Sequence, residues 1–267
     1  VRAAESRSGL DLTAGEAERM VATVRAGRAK GQSVHHIFAT NDMPCTEGNF
    51  YKLVREGRLD FPSIELSKAV RYKKRRRRPE ARAHEAGFYA GRTMEDFLRL
   101  PDEVRAARTE GDTVWGPKGS PECLLSLDRV DLHFQIYLRL RDHTAGQVVA
   151  ALDWLEVLCG SPEAFAGLFD PLLVDRGSEF DDIEGIERSC LAGGEPRCRV
   201  FFADPQRPDQ KGAGEKNHVE LRKVCPKGTP FGPLTPFELA EITSHVNSTV
   251  RYKCGDVSPM SLALRVF

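Results

Sequence analysis

The sequence predicts a mixed α/β domain, built on a five-stranded sheet with flanking helices and preceded by a small all-α domain. From Gly111 onward, short apolar strand segments alternate with helical segments. Residues 12–59 instead repeat apolar side chains at helical spacing, and the dense basic run 71–82 separates the two regions. A chain of 267 residues with 40% apolar composition can bury one medium core and one smaller core.

Bulk composition narrows the class of protein without indicating a partner. Lys plus Arg and Asp plus Glu each number 39, so only the distribution of charge is informative. No apolar run is long enough to span a bilayer, and the N-terminus has no secretory signal pattern. The seven cysteines form no C-x-x-C pair, which is typical of reduced thiols in a cytosolic protein.

Three short helices are predicted in residues 12–59. The first begins at a capping box formed by Thr13 and Glu16, the second follows Ser33, and the third begins after Thr46 and ends at Gly57. The third helix exposes polar and basic side chains of the kind that reach base edges and phosphates from a recognition helix: Asn49, Tyr51, Lys52 and Arg55. Periodicity alone leaves two interpretations open, a DNA-binding helix-turn-helix and an ordinary helical bundle with a solvated face.

The basic run 71–82 reads R-Y-K-K-R-R-R-R-P-E-A-R. A run with this many like charges cannot pack into a core, and we therefore expect it to be a linker. Each cation that neutralises a phosphate releases counterions from DNA. We therefore expect DNA contacts from Lys74, Arg75, Arg76, Arg77 and Arg78, the alternative being a linker that is only solvated.

The α/β region is predicted element by element. Strands are expected at 112–115, 122–128 and 132–140, then a helix at 144–158, a strand ending at Asp175, a helix at about 180–188, a strand at 200–202 and a long helix from about Gly214. The strand and helix ends carry three acids, Asp112, Asp175 and Glu215. Acids in such places can be aimed at a common point, and their oxygens suit a hard divalent cation.

Four blocks of sequence then carry a resemblance. They are G-D-T-V at Asp112, D-R-G-S-E-F at Asp175, F-F-A-D-P followed by G-A-G-E-K-N at Glu215, and P-K-G-T at 226–229. In this order, from Gly111 to about Pro259, the chain resembles the IS30 family of transposases, which belong to the DDE transposases and integrases with a ribonuclease H-like fold.

The chain departs from the family pattern beside the acids. Arg176 stands where the family usually has Asn, Asp209 where Trp often stands, and Gly214 where Asn is usual. The interval from Asp175 to Glu215 is also a few residues longer than is typical, and we expect the excess to form a surface loop at 190–198.

The resemblance implies the domains and the chemistry. It implies a helix-turn-helix-like domain at 1–70, a basic linker and connecting segment at 71–105, and a ribonuclease H-like catalytic domain at 106–267. The sequence stops within the pattern of its final helix, so a truncated C-terminus is expected. Asp112, Asp175 and Glu215 are the implied ligands of a pair of Mg²⁺ ions, for which Mn²⁺ can substitute. The implied function is binding of element ends, strand cleavage and strand transfer by a homo-oligomer on double-stranded terminal-repeat and target DNA, in the bacterial cytoplasm at the nucleoid.

Further residues are assigned around these acids. Lys211, Lys216 and Arg222 are expected phosphate contacts, and Asn217 and Asp204 are expected to stand behind the ligands or to position DNA. Other roles remain open for several residues. Asp204 can cap a turn, Glu220 can replace Glu215 as the third ligand, Glu179 can be a helix N-terminal charge without a catalytic part, and His143 and His218 can contact solvent or DNA. Two other functions also remain open, a nuclease of the same fold without strand transfer and an inactive DNA-binding remnant.

Overall fold

The computed structural model describes residues 12–62, 65–66, 84–85, 87–205, 207–211 and 214–266, with the side chains of 208 and 214–218 outside the description. Contacts group the chain into one unit of Val1–Pro79 with Thr249–Asp256 and a second of Glu80–Ser248 with Val257–Phe267. The basic run 71–82, including Lys74, Arg75, Arg76, Arg77 and Arg78, lies outside the described residues. Its role therefore stays a prediction.

The first unit contains the three predicted helices, α1 (Ala14–Ala29), α2 (Val34–Thr40) and α3 (Glu47–Arg55). Thr13 and Glu16 form the predicted capping box, and the side chains of Ser33 and Thr46 cap α2 and α3. Each cap satisfies a backbone amide that the helix itself leaves without an acceptor. The apolar faces meet in one core, whose most buried members are Val24, Ile37, Phe50 and Met20.

Residues 249–256 pack with these helices. The Val250 amide donates to His36 Nδ1 at 2.9 Å, and the His35 ring lies edge-on to Tyr252, with 6.0 Å between centroids. His35 Nε2 also lies 3.0 Å from Asp256 Oδ1. A short piece of the segment predicted as catalytic, 106–267, is thus grouped with the helical unit, and the predicted boundaries at 70 and 105 stay predictions.

The second unit is built on one five-stranded sheet. Its strands are β1 (Thr109–Trp115), β2 (Cys123–Arg129), β3 (Phe134–Leu140), β4 (Leu172–Val174) and β5 (Val200–Phe202). The strand order is β3-β2-β1-β4-β5, with β1 to β3 antiparallel and with β4 and β5 parallel to their neighbours β1 and β4. This mixed arrangement confirms the predicted ribonuclease H-like fold class.

Helices cover both faces of the sheet. The helices of the second unit are α4 (Met94–Leu98), α5 (Asp102–Ala106), α6 (Ala145–Cys159), α7 (Pro162–Phe169), α8 (Ile183–Glu187), α9 (Gly214–Val224), α10 (Pro236–Ser248) and α11 (Pro259–Val266). On one face Leu125 joins an apolar cluster with Leu152 of α6 and Phe165 of α7. On the other face Leu124, which directly precedes Leu125 in β2, joins a cluster with Leu221 of α9 and Leu239 of α10. Successive strand residues point to opposite faces, so both faces are core.

The structure corrects two of the predicted elements. β1 begins at Thr109, so Asp112 lies in the middle of a strand and not at its end. The polar residues Thr109 and Glu110 concealed the strand in the sequence; both are fully buried, and Glu110 accepts from the Arg108 guanidinium at 2.8 Å. The predicted helix at 180–188 is split into a 3₁₀ turn, Ser178–Phe180, and α8, because Asp182 caps the second segment through the Gly185 amide.

The loop 190–198 is a surface loop only in part. Residues 193–196 are exposed, but Arg197 and Cys198 are buried at 0% and 3% relative exposure. α7 was not predicted at all, although Ser161 caps it and Pro162 occupies its first turn. Among the described residues, the helices are all too short or too polar to cross a membrane.

Candidate active site

Asp112 and Asp175 occupy equivalent positions on neighbouring parallel strands. β1 and β4 pair Thr109 with Leu172 and Glu110 with Leu173. Asp112 and Asp175 each lie two residues beyond the second pair, at the point where β4 ends. Because neighbouring strands lie about 4.8 Å apart and residues in register point to the same face, the two carboxylates belong to one edge of the sheet. We call Asp112 and Asp175 the acid edge.

The acid edge faces the side of the sheet that α9 covers. Val114, two residues beyond Asp112, is buried in the same apolar cluster as Leu221 of α9. Alternation along the strand places Asp112 on that face as well. Glu215 lies in the first turn of α9, while its side chain and those of Lys216 and Asn217 are outside the description. The meeting of three acids, and the roles of Lys216 and Asn217, therefore stay predictions.

Backbone amides orient both aspartates of the acid edge. Asp112 Oδ1 accepts from the Thr113 amide at 2.8 Å, and Asp175 Oδ1 accepts from the Gly177 amide at 3.0 Å. Asp112 is half-buried and Asp175 is exposed. Both residues therefore keep part of their surface accessible to solvent.

Lys211 brings a positive charge to the acid edge. It ends the 3₁₀ turn Pro208–Lys211, and its Nζ donates to the carbonyl oxygen of Gly111, the residue before Asp112, at 2.8 Å. This position is compatible with the predicted phosphate contact, which stays a prediction. Arg222 is similarly engaged by backbone, since its Nη2 donates to the Trp115 carbonyl oxygen at 2.8 Å and so ties α9 to the end of β1.

Asp204 closes a loop. Its amide donates to Gln210 Oε1 at 2.7 Å, and Gln210 Nε2 donates back to Asp204 Oδ2 at 3.0 Å. Arg176 donates to Asp204 Oδ1 at 3.3 Å while its guanidinium lies 4.7 Å from the centroid of Tyr89. These contacts favour the turn-capping interpretation of Asp204. They also give a structural reason for Arg176, where the family usually has Asn.

From the sequence, Glu179 is interpreted as a helix N-terminal charge without a catalytic part, whereas the structure buries it against β1. It is buried at 4% exposure, and Thr113 Oγ1 donates to its Oε1 at 3.0 Å. His143, expected to contact solvent or DNA, places Nε2 2.9 Å from the same oxygen. Burial, followed by the charge of Glu179, raises the pKa of the nearby Cys123 thiol to about 11. The only sequence signal for this carboxylate is its place in D-R-G-S-E-F.

A second acidic cluster lies away from the acid edge. Asp153 and Glu156 of α6 and Cys190 place potential metal-binding atoms within 4.8 Å of one another. Arg197 Nη1 lies 2.6 Å from Asp153 Oδ1 and 3.2 Å from Glu156 Oε2, and Arg188 pairs with Asp153 at 2.8 Å. We call Asp153, Glu156, Arg188 and Arg197 the arginine-bound cluster. Its acids are already neutralised, so it differs from the predicted ligand set in both place and chemistry.

The predicted DNA-reading residues of α3 are displayed unequally. Asn49, Lys52 and Arg55 are exposed and follow one another at three-residue spacing, which places them along one side of the helix. Tyr51 is half-buried: its ring lies edge-on to Phe50, and burial raises the pKa of its phenol. The DNA contacts of all four stay predictions, with Tyr51 serving the core as well.

Comparisons with known proteins give sequence relatives among transposases. The chain is 24% identical over 206 residues to the transposase for insertion sequence element IS1086 of Cupriavidus metallidurans, covering 76% of this chain and 57% of that protein. It is 28% identical over 194 residues to transposase InsI for insertion sequence element IS30C of Escherichia coli K12, covering 72% and 47%. The chain thus spans about half the length of the curated relatives it matches.

Two solved structures match part of the chain. A simian T-cell lymphotropic virus intasome in complex with PP2A regulatory subunit B56 gamma matches with a TM-score of 0.45 and 16% identity, over 59% of this chain and 54% of that one. The catalytic core domain of BIV integrase matches with a TM-score of 0.42 and 17% identity, over 60% and 95%. The fold class follows from the strand order given above.

No protein-family model matches the sequence. The relatives at 24% and 28% identity nevertheless cover about three quarters of the chain, far beyond the four short blocks at the acids. The resemblance to transposases of the IS30 family that those blocks indicate is thereby confirmed.

Proposed function

We propose that this protein is a DDE transposase of an IS30-like element, which binds the element's ends and catalyses metal-dependent strand cleavage and strand transfer. The observation that carries the proposal is the equal register of Asp112 and Asp175 on neighbouring strands, on the face covered by α9. The first turn of that helix carries Glu215. The transposases similar in sequence support the reaction class.

The donor set fits a hard divalent cation. Carboxylate oxygens are the ligands that Mg²⁺ and Mn²⁺ prefer, and two carboxylates on strands about 4.8 Å apart repel each other until a cation lies between them. Asp112, Asp175 and Glu215 would hold the metal. A bound pair of Mg²⁺ or Mn²⁺ ions would supply an activated oxygen nucleophile and stabilise the leaving oxygen at phosphorus.

The protein's own groups would position the DNA around this site. Lys211 already holds its ammonium beside Gly111 and would exchange that carbonyl for a phosphate oxygen of the scissile strand. Lys216 and Arg222 on α9 would contact neighbouring phosphates, and Asn217 would orient a ligand or the DNA. The Thr113 and Gly177 amides would keep the two aspartates oriented while the phosphate binds.

Recognition of the element's ends would come from the first unit. The exposed side chains of Asn49, Lys52 and Arg55 follow one side of a nine-residue helix, which is the geometry of a recognition helix in a major groove. The basic run 71–82 would add contacts to phosphates that do not depend on sequence. Because two ends must be cut and joined together, the active form would be a homo-oligomer on DNA. It would act in the bacterial cytoplasm, at the nucleoid.

The test is a cleavage and joining assay with DNA that carries the terminal sequences flanking the gene. With Mg²⁺ or Mn²⁺, the proposal predicts a free 3′-OH at the element's end and its subsequent attachment to target DNA. Glu215→Gln should stop both reactions. Glu220→Gln is the matched control, because Glu220 lies five residues further along α9 and pairs with Lys223 at 2.6 Å.

Two results would contradict the proposal. Cleavage without joining would instead favour a nuclease of the same fold. Retained DNA binding with neither reaction would favour an inactive remnant of a mobile element.

A further inference from the structure

Glu179 touches both residues whose amides hold the acid edge. Its Oε1 accepts from the Thr113 hydroxyl at 3.0 Å, and the Thr113 amide in turn donates to Asp112 Oδ1. On its other side the Glu179 carboxylate packs on Gly177, the residue whose amide donates to Asp175 Oδ1. One buried carboxylate therefore links the supports of the two aspartates.

A side chain at Gly177 would require the Glu179 carboxylate to move. A Cβ added at Gly177 would lie 2.3 Å from Glu179 Oε2 and 2.6 Å from its carboxyl carbon. The backbone of Gly177 has a φ of −75°, which any residue can adopt. Glycine is thus needed here for the close approach of Glu179 and not for an unusual backbone conformation.

His143 completes the support. Its Nε2 lies 2.9 Å from Glu179 Oε1 and 3.0 Å from Thr113 Oγ1, and its ring lies 4.4 Å from that of Trp115. Glu179 Oε2, by contrast, is buried and has no hydrogen-bond partner within the part of the chain that the structure describes. Burial of an unsatisfied carboxylate oxygen is costly, so a purely structural role is a poor reason to keep it.

Glu179 supports the acid edge from the opposite side of the sheet. Thr113 follows Asp112 directly in β1, so their side chains point to opposite faces. A Cβ added at Gly111, on the Thr113 face, would meet Val174 and Leu127 of the cluster beneath α6. Glu179 therefore lies behind the strand and not among the ligands.

We infer that Glu179 is a positioning residue, which, through Thr113 and Gly177, fixes the distance between the Asp112 and Asp175 carboxylates for a divalent cation. The inference rests on the proposed function. Partners behind metal ligands typically change metal affinity or activity about 10- to 100-fold when removed. We expect that range for loss of the Glu179 acceptor.

The test measures Mn²⁺ binding to the full chain without DNA, by electron paramagnetic resonance of the free ion. Glu179→Leu and Thr113→Val should each weaken binding about 10- to 100-fold, and the double variant should be little weaker than either. Glu179→Gln keeps an acceptor oxygen for Thr113 and should retain most of the affinity. Thr109→Val is the matched control, because it removes from the same strand a hydroxyl that donates instead to the Leu168 carbonyl oxygen.

The outcomes separate this inference from the proposed function. If the wild type binds Mn²⁺ and Thr113→Val binds it equally well, Glu179 has no positioning role, even if Glu179→Leu fails to fold. If Thr109→Val weakens binding as much as Thr113→Val does, the effect is a general one of the strand and the inference is likewise overturned. If the wild type itself binds no Mn²⁺, the proposed metal site fails first.

Discussion

The acid edge and the arginine-bound cluster are both groups of carboxylates in the α/β unit, and they are held in different ways. Asp153 and Glu156 are paired with guanidinium groups, and Arg197 between them is fully buried and also donates to the carbonyl oxygens of Gly185 and Ile186. Asp112 and Asp175 are oriented by the backbone amides of Thr113 and Gly177. These contacts are hydrogen bonds from neutral amides, whereas the acids of the other cluster are held by charged guanidinium groups.

We therefore expect the arginine-bound cluster to stabilise the fold and, under the proposed function, the acid edge to hold the metal. An acid held by a buried arginine cannot give up that partner without a large cost, because a buried charge would be left uncompensated. An acid held by amides can receive a metal without losing those contacts. Variants in the two clusters should therefore separate stability from activity.

The largest expected effect is on activity at the acid edge. Under the proposed function, Asp175→Ala should lower the rate of DNA cleavage about 100- to 1,000-fold, because it removes a proposed metal ligand and with it part of the charge stabilisation at phosphorus. Asp175 is exposed and would lose the hydrogen bond from the Gly177 amide, so the free energy of unfolding should fall by no more than about 1.5 kcal/mol. Cleavage rates and urea denaturation check the two parts. A variant that still cuts at the wild-type rate would remove Asp175 from the site.

The next effect is on stability at the arginine-bound cluster. Arg197→Met should lower the free energy of unfolding by about 3–5 kcal/mol, since Asp153 and Glu156 lose a buried cation. Arg188→Met is the control: its side chain is 45% exposed and its pair with Asp153 should contribute no more than about 1 kcal/mol. Urea denaturation measures both. Equal losses in the two variants would contradict the distinction between a buried and a surface pair.

Gly177→Ala should act between the two extremes. The added methyl group would overlap the Glu179 carboxylate. Overpacking of this kind typically lowers the free energy of unfolding by about 1–3 kcal/mol. It should also weaken Mn²⁺ binding, because Gly177 holds Asp175. Gly146→Ala in α6 has nothing within 4 Å of the new Cβ and should be neutral or stabilising. Unchanged stability and Mn²⁺ affinity in Gly177→Ala would show that Glu179 can move away freely.

The smallest effect concerns pH. Burial raises the pKa of Glu156, but the hydrogen bonds from Ser189 and Cys190 and the charge of Arg197 outweigh it and hold that pKa below its usual range. The pKa of a glutamate in the unfolded chain is about 4.3. Because the folded-state pKa of Glu156 is lower, this group contributes its full stabilisation above about pH 4.3, and the contribution is lost as the pH falls through the folded-state pKa. Glu156→Gln should therefore lose less stability than the wild type between pH 6 and pH 3. Urea denaturation at pH 6 and at pH 3 measures the stability of both proteins. An equal loss of stability in Glu156→Gln and in the wild type would contradict this prediction.

The sequence predicted what depends on neighbouring residues and missed what depends on distant ones. Thr13, Ser33 and Thr46 marked helix starts because a cap and its amide lie within three residues. The pairing of Arg197 with Glu156 joins residues 41 positions apart, and nothing local in the loop 190–198 indicates that its end is buried. The start of β1 was hidden for a different reason: Thr109 and the buried Glu110, which pairs with Arg108 two residues before it, do not follow the apolar pattern of a buried strand.

The candidate site shows the same division. The four blocks located Asp112, Asp175 and Glu215, since each block is a continuous segment. Glu179 lies inside one of those blocks, yet its contact with Thr113 spans 66 positions and depends on how the sheet closes. Its support of the acid edge could be seen only after β1 and the turn following β4 were placed side by side.

The most direct test of the account is a crystal soaked in Mn²⁺ and measured by anomalous scattering. The account predicts a peak between the carboxylates of Asp112 and Asp175, with Glu215 of α9 completing the coordination. A peak at Asp153, Glu156 and Cys190, with none at the acid edge, would contradict it.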